Sequence, residues 1–85
     1  MSVNPDRRDA VSEEFRIYSP ESLGAALKHY REESGWSQSE LAHRTGLNRT
    51  YLSELEGGHS TAQTRRLLKV FRELGLRVTL EKADW

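Results

Sequence analysis

The sequence predicts a mainly α protein, a bundle of four or five short helices followed by one strand. Three observations lead there. Apolar residues recur at helical spacing in several segments, capping residues and glycines punctuate those segments, and only the last segment changes to a period of two.

Residues 1–14 carry no periodicity, contain Pro5 and mix both signs of charge, so they read as a mobile leader. Residues 15–75 form the helical domain. Its first helix starts where Ser19 supplies an N-cap, Pro20 occupies the first helical position and Glu21 places an acid in the first turn. Leu23, Ala26, Leu27 and Tyr30 follow the i, i+3, i+4, i+7 spacing of one buried face, and Ser34 with Gly35 ends the helix. A second helix opens with Ser37 and Glu40 in capping-box spacing. Trp36 and Leu41 flank that cap as a hydrophobic staple, and Gly46 terminates the helix after about Thr45.

Asn48 can cap a third helix of about eight residues, which turns Leu52 and Leu55 inward and stops at Gly57 and Gly58. A segment so short is stable only when its neighbours hold it. Ser60 and Gln63 predict a second capping box, and Leu67, Leu68, Phe71 and Leu74 a buried stripe on a fourth helix that ends at Gly75. Residues 76–81 then alternate: Leu76, Val78 and Leu80 with Arg77, Thr79 and Glu81, the pattern of a half-buried strand. Residues 82–85 form a tail.

A lone strand leaves backbone groups unpaired, so this one needs a partner. The candidates are residues 15–18 of the same chain and the same strand of a second subunit across a two-fold axis. The second is favoured, with the first as a flanking addition. Leu76, Val78 and Leu80 are then the dimerisation residues. Length points the same way, because an 85-residue chain buries only a modest share of its surface and oligomerisation is a common supplement.

Composition excludes several classes of function. The chain has no cysteine, which removes disulfide frameworks, thiolate metal sites and cysteine nucleophiles, and fits a reducing cytoplasm. No metal and no cofactor is expected. No apolar run approaches the roughly 20 residues of a membrane span, so a soluble protein without a membrane partner is expected. His29, His43 and His59 are scattered, and no serine-histidine-aspartate set or glycine-rich phosphate loop is visible. The Glu13-Glu14 and Glu32-Glu33 pairs read as solvated charge, and the chain is not expected to be an enzyme.

Formal net charge is zero, but it is unevenly distributed. Between Ala42 and Arg72 six basic residues (Arg44, Arg49, Arg65, Arg66, Lys69, Arg72) face two acids (Glu54, Glu56), an excess of four positive charges. The central pattern of Gln38, Leu41, Ala42, Gly46, Leu52 and Leu55 locks two helices across a tight turn. It leaves Asn48, Arg49, Thr50, Tyr51 and Ser53 on the outer side of the third helix. Those hydrogen-bonding side chains suit base edges better than the Glu and Lys of an ordinary solvated helix.

On these residues, and above all on GWSQSELAHRTGLNRTYLSELEGG, the chain resembles the XRE family of helix-turn-helix proteins, which includes Cro and the phage repressors. The likeness runs from IYSPESLGAALKHYREESGWSQSELA to the final LRVTLE, about residues 16–81, where the chain is similar to HipB-type antitoxins. The resemblance implies a lambda-repressor-like helix-turn-helix bundle and a homodimer joined by the C-terminal strand. It implies that the dimer represses its own operon on double-stranded operator DNA and binds a HipA-type serine/threonine kinase toxin, in a bacterial, nucleoid-associated cytoplasmic setting. The Trp85 ending also looks like that of some members.

Carried over by position, the resemblance implies that Gln38 touches a phosphate, that Arg49 and Thr50 reach base edges, and that Ser53, Gly57 and His59 lie near the DNA backbone. Arg31 and Glu56 match a structural ion pair joining the first helix to the end of the third. Glu54 departs from the neutral residue frequent at its position and is an acid near phosphates unless it accepts from cytosine or pairs with Arg49. A stand-alone repressor, or a protein-binding adaptor with the same fold, are the alternative readings.

Overall fold

The computed structural model describes residues 14–59 and 61–83. The leader up to residue 13, the predicted cap at Ser60 and the terminal Trp85 lie outside the described residues. In chain order the elements are β1 (Phe15–Ile17), α1 (Pro20–Glu33), α2 (Gln38–Thr45), α3 (Arg49–Glu56), α4 (Ala62–Glu73) and β2 (Val78–Leu80). The fold is mainly helical with a two-stranded sheet.

The first three helix starts fall where the sequence places them. Ser19 Oγ accepts from the Ser22 amide while Ser22 Oγ accepts from the Ser19 amide, so two free donors at the head of α1 are satisfied reciprocally. Ser37 and Glu40 do the same for α2. Gly46, at φ 73°, takes the left-handed conformation that ends α2 and opens the tight turn to α3. Asn48 Oδ1 accepts from the amides of Thr50 and Tyr51 and caps α3.

The head of α4 differs from expectation. Thr61, not Ser60, is the N-cap, its hydroxyl accepting from the Thr64 amide at 3.3 Å. Both residues are competent caps, and the sequence offers no way to choose between adjacent hydroxyls.

The core lies where α1, α2 and α3 cross. Ala26, Ala42 and Leu52 are buried there, and Ile17, the last residue of β1, is buried as well. Small residues permit the crossing. A Cβ on Gly24 would lie 2.6 Å from the Glu56 carbonyl oxygen and closer still to that of Leu55, so only glycine allows α1 to pass the end of α3. Trp36 and Leu41 line one apolar cleft with Leu27, Leu52 and Leu55, which gives the staple its packing.

The expected buried stripe on α4 is not found: no residue of that helix is buried. Leu68 and Phe71 are half-buried, whereas Leu67 is 53 % exposed, Val70 51 %, Leu74 66 % and, just past the helix, Leu76 54 %. The helix is amphipathic, as its spacing requires, but part of its apolar face has no cover among the described residues.

The final strand is shorter than its alternation suggests, and one of its edges is taken within the chain. β1 and β2 run antiparallel with Phe15 opposite Leu80, Arg16 opposite Thr79 and Ile17 opposite Val78. This is the pairing that the sequence offers as a flanking addition. Tyr30 Oη donates to the Leu80 carbonyl, and Lys82 lies 3.5 Å from Glu33, so both bind the strand to α1. Phe15, His29 and Tyr30 pack as a ring cluster with centroids 4.8 to 5.4 Å apart.

Candidate nucleic-acid interface

α3 separates its residues cleanly by face. Leu52 is buried and Leu55 half-buried, whereas Arg49, Thr50, Tyr51, Ser53 and Glu54 are exposed, as are Asn48 before the helix and His59 after it. The sequence-selected residues thus share one solvent-facing side, except Gln38, which is half-buried at the first position of α2.

A chain of hydrogen bonds runs beneath that face. Arg31 donates from Nε to Glu56 Oε2 at 2.6 Å and from Nη2 to Glu56 Oε1 at 2.9 Å, a bidentate fork. Its Nη1 donates to the Trp36 carbonyl at 2.8 Å, tying the loop before α2 to the same guanidinium. Glu56 Oε1 also accepts from Gln38 Nε2 at 3.0 Å, and Gln38 Oε1 accepts from Arg49 Nη1 at 3.3 Å. Glu56 can only accept, so it fixes which end of the Gln38 amide points inward and turns the oxygen toward Arg49.

The electrostatics follow from burial. The Arg31 and Glu56 side chains are 10 % and 6 % exposed. The Arg31 hydrogen bonds hold the Glu56 carboxyl below its ordinary range against the opposing effect of desolvation, with the Gln38 amide adding to them. The same pair raises the Arg31 guanidinium above its ordinary value. Since Arg31 neutralises Glu56, Glu54 is the acid of α3 left on the outer face. Arg49 is held by Gln38 and forms no ion pair with Glu54 among the described residues.

Two further features were not read from the sequence. Arg44 stacks over the Trp36 ring at 4.1 Å, a cation–π contact that braces the end of α2 on the staple. Gly24 was also passed over, although a lone glycine inside a helical pattern is itself a signal of close approach. The Gln38–Glu56 bond joins residues eighteen positions apart and has no local signature.

Two helices locked across a glycine turn, the second presenting a polar face, define a helix-turn-helix DNA-binding module. The comparisons place it in a family. The model described as Helix-turn-helix matches residues 27–80. Antitoxin HipB of Escherichia coli strain K12 is 35 % identical over 65 residues, covering 76 % of this chain and 74 % of that protein. An uncharacterised helix-turn-helix transcriptional regulator of Sinorhizobium fredii is 34 % identical over 65 residues, covering 76 % of this chain and 86 % of its own. The regulator SinR of Bacillus subtilis is 38 % identical over 47 residues, 55 % of this chain and 42 % of SinR. No solved structure matches. The chain belongs to the XRE-type helix-turn-helix family of DNA-binding transcriptional regulators.

Proposed function

We propose that this protein is a sequence-specific transcriptional repressor that binds operator DNA as a homodimer and serves as the antitoxin of a HipA-type kinase toxin, autoregulating its operon. The observation that carries the DNA-reading part is the exposed polar face of α3, with Arg49 held from behind by Gln38. An arginine in a major groove can donate bidentately to guanine O6 and N7, and Thr50 and Ser53 can reach an adjacent base or phosphate. Asn48 keeps its amide N–H groups for DNA, since its oxygen is committed to the cap. Tyr51, Glu54 and His59 border that face, and the Gln38 amide at the head of α2 is placed for a phosphate.

The homodimer is supported by the exposed Leu67, Val70, Leu74 and Leu76, and by the edge of β2 that has no ladder partner among the described residues. Two copies would present their α3 helices to successive major grooves about 34 to 36 Å apart on a palindromic site. The toxin partnership rests on the likeness to HipB antitoxins. The bacterial regulators among the relatives favour a second reading, a stand-alone repressor with the same DNA surface. In either role the protein is a cytoplasmic, non-enzymatic regulator that works on the nucleoid. Among the described residues no helix is long and apolar enough to cross a membrane.

Gel shifts on the upstream region of its own operon, repeated across salt concentrations, test the reading. Specific retardation with a log-log slope of about 0.9 per phosphate contact supports it, and indifference to that fragment at low salt overturns it. Co-purification with the product of an adjacent kinase-like gene separates antitoxin from stand-alone repressor.

A further inference from the structure

We propose that the hollow between the two strands and the C-terminal half of α4 is a small-molecule site, and that it takes an organic phosphate monoester with an apolar, ring-sized body. The site shares no residue with α3, so this inference goes beyond the operator reading and does not rest on it.

A cavity of about 400 Å³ is lined by residues of β1, of β2 and of the C-terminal half of α4. That volume lies in the range of roughly 300 to 1,000 Å³ in which small-molecule sites fall. Its apolar lining includes the buried Ile17 and the half-buried Leu68, Phe71 and Val78. Three arginines complete it: Arg16 from β1, Arg72 from α4 and Arg77 just before β2. All three are exposed, none forms an ion pair among the described residues, and no acid is among the residues that line the cavity.

One of these cations is already held in place. Arg72 Nη2 donates to the Tyr18 carbonyl at 3.3 Å, which spans the gap from α4 to the end of β1 and leaves the other N–H groups of the guanidinium for a ligand. Arg16 and Arg77 join it only through the fold, since the three lie far apart in the chain or on different elements.

Charge decides the class of occupant. An apolar molecule, or an apolar surface of another protein, would cover three cations and bring no counter-ion, and desolvating them unpaired is costly. A phosphate monoester carries a charge of about −1.5 to −2 at pH 7 with three strong acceptor oxygens, and guanidinium forks match those oxygens bidentately. An apolar ring on the same molecule would cover Phe71 and its neighbours and remove their surface from water. The cavity therefore selects for both features together.

Isothermal titration of the full chain with 2-naphthyl phosphate tests the site, with 2-naphthol and inorganic phosphate as its separate halves. The ester should bind once per chain, and each half about ten-fold or more weaker, because each makes only one of the two kinds of contact. Arg72→Gln and Arg77→Gln should each weaken the ester about five-fold or more by removing a charge-assisted donor. Arg77→Gln leaves the Arg72–Tyr18 bond intact, so a folding defect in one variant does not decide the result. Arg66→Gln, on α4 but outside the cavity, should leave binding unchanged. Four outcomes overturn the site: no binding of the ester at millimolar concentration, equal affinity for 2-naphthol, equal affinity for inorganic phosphate, or the same loss in Arg66→Gln as in Arg72→Gln and Arg77→Gln. None of them bears on operator binding, which gel shifts read separately.

Discussion

Arg49 Nη1 donates to Gln38 Oε1 at 3.3 Å, joining the first residue of α3 to the first residue of α2 across the turn. The guanidinium is thereby restrained on one side and keeps its remaining N–H groups for a ligand. Because Gln38 is itself gripped by Glu56, and Glu56 by Arg31, an exposed side chain is aimed by a buried one.

Arg49→Ala should weaken specific operator binding by about 1 to 3 kcal/mol and relax base preference at one position. Gln38→Ala should weaken it less, and the two substitutions should be non-additive because the residues share a bond. Binding titrations on an operator and its single-base variants give both quantities. Strict additivity would mean that the contact has no part in DNA binding.

Glu56→Gln keeps the shape of the side chain but leaves the Arg31 charge buried without its counter-ion, so destabilisation of about 3 to 5 kcal/mol is expected in chemical denaturation. Loss of operator affinity should accompany it even at temperatures where the variant is fully folded, because Gln38 is no longer fixed by an obligate acceptor.

Acid should act through the same pair. The Glu56 carboxyl is held below its ordinary range in the folded chain, so the unfolded chain binds a proton there at higher pH than the folded one does. The stabilisation is complete above the ordinary carboxylate range and is lost as pH falls through the depressed folded value. Thermal melts across the acid range should therefore show a descent that is shallower in Glu56→Gln. An unchanged slope would assign acid sensitivity to other carboxylates.

Gly24→Ala introduces a methyl group against two backbone carbonyls that cannot swing aside. A loss of about 1 to 3 kcal/mol is expected, despite the better helix propensity of alanine, and calorimetry should find Tm lowered by several degrees. A rise in Tm would show that α1 and α3 can separate at no cost.

Val78→Pro removes a ladder donor from β2 and restricts its backbone, so dimerisation and cooperative half-site binding should fall together. Equilibrium sedimentation decides it: a variant that stays dimeric places the interface elsewhere than on this strand.

The helices, three of the four N-caps, the turn at Gly46 and the exposed residues of α3 are all legible in the chain of residues alone. Each of these is a local matter, set within a few residues by hydroxyl caps, glycine conformation and the spacing of apolar side chains. Long-range packing sets the rest: β1 takes one edge of β2, Gly24 is the crossing point of α1 and α3, and Gln38 bridges Glu56 to Arg49. Those relations join residues far apart in the chain, and periodicity cannot distinguish an apolar stripe that is covered from one that waits for a second molecule. On α4 the spacing is that of a buried face, yet among the described residues nothing covers Leu67 and Leu74, which are exposed, while Leu68 and Phe71 of the same helix are half-buried.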